Sequence, residues 1–299
     1  MTSQTPPDIY VPRRASRSRM TQARGIACHA REWGDPKAPL VVLLHGSQDA
    51  SATFQFMVDE CRGDHHFVAP DWRGHGQSGW APQGYWFQDY LADLDAFLDE
   101  VSPGEPATIV GHSLGGNVAC CFAGARPERV RRFVSLDGFG LADPDPAEGL
   151  SRLRRWLEGW RAGPEPSRPY PGVEALAARL RQAHPRLPMD KALFLAANTS
   201  RRLPSGEVVI AFDPRHRLPF AVGYRRAEFF PILRAIEAPA LWLASDRPDR
   251  FKNEPGGWEE RCAQVRNLRH EKVPDTSHNM HHDRPAEIAR LVEAFLAEA

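Results

Sequence analysis

Five uninterrupted apolar runs constrain the fold of this chain more than any other feature. They cover residues 40–44, 67–69, 107–110, 133–136 and 240–244. None of them alternates between apolar and polar residues, as a strand with one solvent-facing side would. Strands that are covered on both faces read in this continuous way, because both sets of side chains are buried. The runs therefore predict a parallel sheet in the interior of the molecule.

Helical patterns separate these runs. Apolar residues recur at steps of three and four through residues 87–101 and again through 288–296, which is the period of an amphipathic helix. Strands that alternate with helices favour a doubly wound α/β sheet. Ahead of the first run, residues 16–22 and 26–33 flank Gly25 and predict an antiparallel hairpin.

One long stretch breaks the alternation. It is rich in proline, arginine and glycine, its patterns are mostly helical, and it contains a predicted hairpin at 199–202 and 208–212. An insertion of roughly a hundred residues is too long for a loop. Because core strands lie on both sides of it, we expect a cap subdomain and not a second domain. The predicted division is a disordered N-terminus at 1–12, a core at 13–137 and 236–299, and a cap at 138–235.

The composition of the chain bears on which kinds of partner we expect. The chain has 299 residues, 38 basic and 38 acidic side chains, and a formal net charge of +0. This balance gives no reason to expect nucleic acid or a membrane as partner. The apolar runs are too short to span a bilayer, and no apolar segment follows the N-terminal arginines as in a secretory signal. Five cysteines without CxxC spacing fit reduced thiols, so we expect a cytoplasmic protein.

The strongest chemical signal is a Gly-x-Ser-x-Gly segment between a strand and a helix. The run at 107–110 continues directly into Gly-His-Ser-Leu-Gly at 111–115. In a nucleophile elbow the serine occupies a strained turn, and its small neighbours are required because backbone segments pass too close for side chains. The positive end of the following helix faces the hydroxyl. The segment therefore predicts Ser113 as a nucleophile.

Two backbone amides are expected to stabilise an oxyanion beside Ser113. A tetrahedral oxyanion needs two N–H donors that are held in place before the reaction. We predict one from Leu114, which follows the nucleophile, and one from Ser47, which follows the pair His45-Gly46 at the end of a strand. We interpret His45 as a structural brace of this loop.

A charged, glycine-rich turn at 70–78 follows the next strand. It lacks the lysine pattern of a phosphate-binding P-loop. We expect Asp71, Arg73 and His75 in this turn to brace the active-site loops through hydrogen bonds.

A histidine near the C-terminus is the candidate general base. His278 lies in a loop between a strand-like segment and the terminal helix, and a base of this kind takes the proton of a serine as it attacks. His281 and His282 follow closely, so the three histidines could instead hold a metal ion. No acid or cysteine constellation near them in the sequence supports zinc. We therefore predict no metal and no cofactor.

In their order along the chain, these segments resemble the α/β-hydrolase superfamily. The resemblance covers residues 26–137 and 236–298. It rests on motifs that lie at strand ends in the family's order, namely His45-Gly46, the turn at 71–78, the elbow at 111–116 and His278. The resemblance implies an α/β-hydrolase fold, a mostly parallel doubly wound sheet with an inserted, mainly helical cap. It also implies a triad in the chain order serine, acid, histidine.

Three further segments resemble, more closely, the serine hydrolase-like proteins with a helical cap. They are Leu136-Asp137, Phe212-Asp213-Pro214 and the stretch 277–281.

The acid departs from the commonest pattern of this family. Most relatives carry an aspartate in a Gly-x-x-Asp turn after the seventh strand, but the turn at 245–249 has Pro248 at that position. The family's other arrangement has the acid after the sixth strand, where this chain has Asp137. We predict Asp137 as the acid, with Asp249 as the alternative and Asp246 third.

These roles imply a serine hydrolase (EC 3.1.1) that cleaves a small to medium carboxylic ester, thioester or lactone through an acyl-enzyme on Ser113. Two alternatives stay open. The same triad could hydrolyse a C–C bond, or the chain could be a non-catalytic ligand-binding protein on a hydrolase fold. The expected partner is a small-molecule substrate, and a homodimer is left open.

Overall fold

The computed structural model describes residues 8–141, 143–246 and 256–298. The described residues form strands β1 (Arg17–Ala23), β2 (Ile26–Trp33), β3 (Leu40–Leu44), β4 (His66–Pro70), β5 (Ala107–His112), β6 (Val130–Leu136), β7 (Ser200–Arg202), β8 (Val208–Ile210), β9 (Ala240–Ala244) and β10 (Leu268–Lys272). Their α-helices are α1 (Gln55–Glu60), α2 (Phe87–Val101), α3 (Leu114–Ala125), α4 (Gly149–Ala162), α5 (Val173–Ala183), α6 (Met189–Asn198), α7 (Arg226–Arg234), α8 (Gly257–Cys262), α9 (Met280–Asp283) and α10 (Pro285–Leu296). Short 3₁₀ turns cover Ser51–Phe54, Pro127–Arg129, Pro146–Glu148 and Pro214–Arg217.

Eight strands form one sheet in the order β1-β2-β4-β3-β5-β6-β9-β10. The pairs β1/β2 and β2/β4 are antiparallel, and every other pair is parallel. The hairpin predicted around Gly25 is therefore confirmed, with Ala23 opposite Ile26 next to the turn. The carboxyl ends of β3, β5, β6 and β9 meet at one edge of the sheet, which is where open α/β sheets bind ligands.

Both faces of the sheet are covered, as the continuous apolar runs predict. Val42 packs in one apolar cluster with residues of α2 and α3. Its neighbours Val41 and Leu43 pack in a second cluster with residues of α1 and α10. All three side chains are buried. A strand in this position buries the side chains of both faces, which explains the absence of alternation in the sequence.

The long insertion lies between β6 and β9. It contains α4, α5, α6, the antiparallel pair β7/β8 and α7. The mainly helical content and the hairpin predicted from the sequence are both present. Leu176 of α5, Phe194 of α6 and Val208 of β8 share an apolar cluster with Phe56 of the core. The boundaries at 138 and 235 remain a prediction.

The disordered N-terminus at 1–12 stays a prediction, residues 1–7 lie outside the described part of the chain, and Tyr10 contacts the core. The Tyr10 ring packs edge-on against Phe56 with 5.0 Å between centroids. The Tyr10 hydroxyl donates a hydrogen bond to Asp59 at 2.8 Å. The Tyr10 N–H also donates to Asp190 O at 3.1 Å, so both the ring and the backbone of this residue contact the rest of the protein.

All five cysteines lie in the described residues as free thiols. No helix over residues 8–141, 143–246 and 256–298 has the length and apolar character needed to cross a membrane.

Candidate active site

The turn between β5 and α3 holds Ser113 in a strained conformation. Its φ is 52° and its ψ is −110°, a region that non-glycine residues rarely occupy. A Cβ atom on Gly111 would collide with the backbone of Gly115, and one on Gly115 would collide with the carbonyl of Leu44. The glycines of this segment are therefore required by close backbone packing, and the turn projects Ser113 at the carboxyl edge of the sheet.

Ser113, His278 and Asp137 form a continuous hydrogen-bonded chain. His278 Nε2 lies 2.8 Å from Ser113 Oγ, and His278 Nδ1 lies 2.5 Å from Asp137 Oδ2. A carboxylate accepts hydrogen bonds, so Nδ1 carries the proton and Nε2 presents its lone pair to the serine hydroxyl. This tautomer is the one that a general base for Ser113 requires.

The segment that carries Asp137 is fixed to the core. The Asp137 N–H donates to Leu243 O at 2.8 Å, and Asp137 Oδ1 accepts from the N–H of Ser245 at 3.1 Å. Directly afterwards, Gly138 O accepts from Ser135 Oγ at 2.6 Å. Two residues later, the Gly140 N–H donates to the side-chain oxygen of Asn117, also at 2.6 Å. The orientation of the carboxylate is therefore set by the ends of β6, β9 and α3.

The other two predicted acids do not share this position. Asp246 is exposed and forms an ion pair with Lys272 at 3.0 Å. Its pKa lies below the usual value because Lys272 donates a hydrogen bond to it. Asp249 lies outside the described residues. Among the described candidates, Asp137 is thus the one that contacts His278.

The predicted oxyanion loop is the segment after β3 that carries Ser47. Side chains of the 70–78 turn hold it in place. The Gln48 N–H donates to His75 Nε2 at 3.1 Å, and the Ser51 N–H donates to Asp71 Oδ1 at 2.6 Å. Of the two amides after Gly46, that of Gln48 is therefore used, which leaves Ser47 as the candidate donor. Leu114 begins α3, so its N–H has no acceptor within the helix. The roles of Ser47 and Leu114 stay predictions.

His45 and Arg73 occupy bracing positions. His45 Nδ1 donates to Gly46 O at 2.7 Å, and His45 Nε2 accepts from the Trp72 N–H at 2.9 Å. Arg73 donates from two nitrogens to Asp93 of α2, each at 2.5 Å. Arg73 therefore anchors the turn to α2, whereas Asp71 and His75 reach the oxyanion loop.

Sequence reasoning missed His112, the residue before the nucleophile. Its Nε2 donates to the carbonyl of His278 at 2.9 Å. Burial lowers the pKa of His112 to about 3, so its ring stays neutral. The elbow thus holds the loop of the candidate base as well as the nucleophile. The one available signal was an imidazole at the variable position of Gly-x-Ser-x-Gly.

A sequence model of the α/β-hydrolase fold matches residues 39–285. The chain belongs to the α/β-hydrolase family. A serine hydrolase-like protein of Danio rerio is 29% identical to this α/β-hydrolase over 274 residues, which are 88% of this chain and 83% of that protein. A human serine hydrolase-like protein is 30% identical over 59% of this chain and 85% of its own length.

Solved structures show the same fold. The thioesterase domain from the curacin biosynthetic pathway superposes with a TM-score of 0.81 at 23% identity. The superposition covers 94% of this α/β-hydrolase and 99% of the thioesterase domain. The predicted fold class and superfamily are therefore confirmed.

Neutral histidine rings surround the oxyanion loop of this α/β-hydrolase and predict acid instability. Burial lowers the pKa of His75 well below its usual value and that of His216 to about 4. The centroids of the His75 and His216 rings are 4.2 Å apart. In the unfolded chain a histidine titrates near ~6.5, so below that pH the unfolded state binds more protons than the native state. Stability therefore falls as the pH drops.

We expect the free energy of unfolding to be nearly constant above about pH 7 and to decrease from about pH 6.5 to pH 4.5. A fully buried histidine contributes at most about 1.4 kcal/mol per pH unit. Urea denaturation at a series of pH values measures how steeply the free energy of unfolding depends on pH. His75→Gln should reduce this dependence, because glutamine has no titrating group. Equal stability at both ends of this range would contradict the burial of neutral rings.

Proposed function

We propose that this α/β-hydrolase cleaves small to medium carboxylic esters, thioesters or lactones through an acyl-enzyme on Ser113. His278 acts as general base, Asp137 orients it, and the amides of Ser47 and Leu114 bind the oxyanion. The observation that carries the proposal is the unbroken hydrogen-bonded chain from Ser113 Oγ through both nitrogens of His278 to Asp137.

The mechanism follows from these contacts. Ser113 Oγ attacks the acyl carbon while His278 Nε2 takes its proton, and the carbonyl oxygen becomes an oxyanion. Collapse of the intermediate breaks the bond to the leaving group, which receives the proton from His278. Water then attacks the acyl-enzyme while His278 takes one of its protons, the second tetrahedral intermediate breaks its bond to Ser113 Oγ, which regains the proton from His278, and the acid product leaves. Asp137 stays ionised and stabilises the imidazolium in each step.

A cleft between the insertion and the core offers an aromatic surface next to the brace of the oxyanion loop, and its lining does not include Ser113, Ser47, Leu114 or His278. It has a volume of about 390 Å³, including space open to solvent, and its lining is largely aromatic, with Tyr85, Trp86, Trp156, Trp160 and His216 among its residues. His216 also packs on His75, which holds the oxyanion loop. Aromatic walls with few polar groups are typical of sites for apolar ligands. The thioesterase domain with the same fold is consistent with acyl substrates.

Two measurements test the proposed function. A fluorophosphonate probe should label the purified protein on Ser113, as located by peptide mass spectrometry. A chain-length series of p-nitrophenyl esters, with thioester and lactone counterparts, should then show turnover that stops after labelling. Labelling of Ser113 without turnover of any member would reject ester hydrolysis in favour of C–C cleavage or ligand binding. Absence of labelling would reject an activated serine.

A further inference from the structure

His281 and His282 do not join His278 in one set, as the sequence had allowed. Instead they lie with Asp49, and one candidate ligand atom from each of the three residues lies within 4.8 Å of the others. Asp49 is two residues beyond Ser47, and His281 is three beyond His278. The cluster therefore joins the predicted oxyanion loop to the loop of the candidate base.

The hydroxyl of Thr53 organises this cluster. Thr53 Oγ1 lies 3.0 Å from His281 Nε2 and 2.6 Å from His282 Nε2. The same hydroxyl stabilises the Asp49 carboxylate. One hydroxyl has one proton and two lone pairs. One arrangement satisfies all three groups: Thr53 donates to Asp49 and accepts one N–H from each imidazole, with the proton on Nε2 in both rings.

That assignment leaves a lone pair on each Nδ1. Both histidines are more than nine-tenths buried. Within the described residues neither Nδ1 has a hydrogen-bond partner. Buried polar atoms without a partner are uncommon, and a bound ion is one of the recognised explanations for them. A neutral imidazole with a free lone pair is also the form that ligates metal ions.

Asp49 lacks a compensating cation. Its side chain is half-buried, and no lysine, arginine or histidine of the described chain forms an ion pair with it. A carboxylate that is partly withdrawn from water is stabilised by a cation or a metal ion. Within the described residues, the cluster thus combines a carboxylate that has no ion-pair partner with two imidazole nitrogens that have no hydrogen-bond partner.

We propose that Asp49, His281 and His282 bind one divalent transition-metal ion. Two imidazoles and one carboxylate suit Zn²⁺, Ni²⁺ or Cu²⁺, whereas Ca²⁺ and Mg²⁺ prefer oxygen ligands. Each histidine offers its Nδ1 without losing its bond to Thr53, and Thr53 then serves as the outer acceptor that metal-ligating histidines normally have. The three side chains must move closer together when the ion binds, because the ligand atoms of a zinc ion lie about 2.0–2.2 Å from it.

The cluster contains neither Ser113 nor His278, so the test uses binding and not activity. Chelator-treated protein is titrated with Zn²⁺ by calorimetry, and the visible absorption of bound Co²⁺ reports on the ligands. We expect one ion per chain, a higher melting temperature with the ion, and equal binding by Ser113→Ala.

Variants assign the ligands. Asp49→Asn and His282→Gln should weaken the affinity for Zn²⁺ by about 100-fold or more, and Thr53→Val should weaken it by about 10-fold. His184→Gln is the matched control, because it removes a nearby imidazole that hydrogen-bonds Asn279 and lies outside the set. Circular dichroism confirms that each variant is folded. Saturable binding that survives in Asp49→Asn and His282→Gln, or no binding by the wild-type protein, would overturn the proposal.

Discussion

Replacement of Ser113 by alanine is expected to reduce kcat for the best ester by about 10⁶-fold, the cost of removing the nucleophile of a triad in a serine protease. The change deletes the one atom that accepts the acyl group and leaves Cβ in place. The measurement is steady-state hydrolysis of p-nitrophenyl esters, with the fluorophosphonate probe as an independent readout. Labelling should disappear together with turnover.

The fold of Ser113→Ala should be unaffected. Gly111, Gly115 and the Ser113 backbone hold the elbow, and none of these contacts uses Oγ. We expect the free energy of unfolding to change by less than about 0.5 kcal/mol. An Ala variant that hydrolyses esters at the wild-type rate would refute the assignment of the nucleophile. An unfolded variant would instead show that the hydroxyl has a structural role.

Asp137→Asn should lower kcat by about 10⁴-fold, as the equivalent change does in a serine protease. The amide can donate to Nδ1, which favours the histidine tautomer with the proton on Nε2. That tautomer has no lone pair facing Ser113 Oγ, so His278 cannot act as a base. The shape of the side chain is preserved, so the loss should appear in kcat and not in the melting temperature.

Asp246→Asn is the matched control, since Asp246 also follows a core strand but pairs with Lys272 at the surface. It should cost less than about tenfold. Asp249→Asn, at the alternative acid, completes the comparison. A nearly wild-type Asp137→Asn together with an inactive Asp249→Asn or Asp246→Asn would assign the acid to the turn after the seventh strand.

The sequence predicted the sheet and the nucleophile turn because both depend on local rules. Continuous apolar runs and glycines at 111 and 115 leave few backbone solutions. The choice of Asp137 also had a local basis, because Pro248 occupies the commoner acid position. The contact between Asp137 and His278 nevertheless joins residues 141 positions apart, a distance that no sequence pattern specifies.

Other features depended on tertiary contacts that leave no pattern in the sequence. Asp49 lies in an unremarkable loop, and its partners are more than 200 positions away. His112 contacts the carbonyl of His278, a backbone atom that any residue supplies. Tyr10 contacts Phe56 and Asp59, which lie more than 40 positions away. In each case a side chain contacts a residue that is distant in the sequence. Neither the hydrophobic periodicity nor the spacing of motifs indicates such a contact.

The anchoring of residues 137–140 has a consequence for how such a protein can diversify. The chain passes from the acid to the insertion through backbone that is tied to Ser135, Asn117 and Leu243. Displacement of the chain beyond residue 140 therefore reaches the carboxylate through anchored backbone, whereas the insertion contacts the oxyanion brace through His216 and the loop of the candidate base through His184. We expect changes of the insertion that keep these two contacts to leave the distance between Asp137 and His278 unchanged, so that this part of the chain can vary in length and shape.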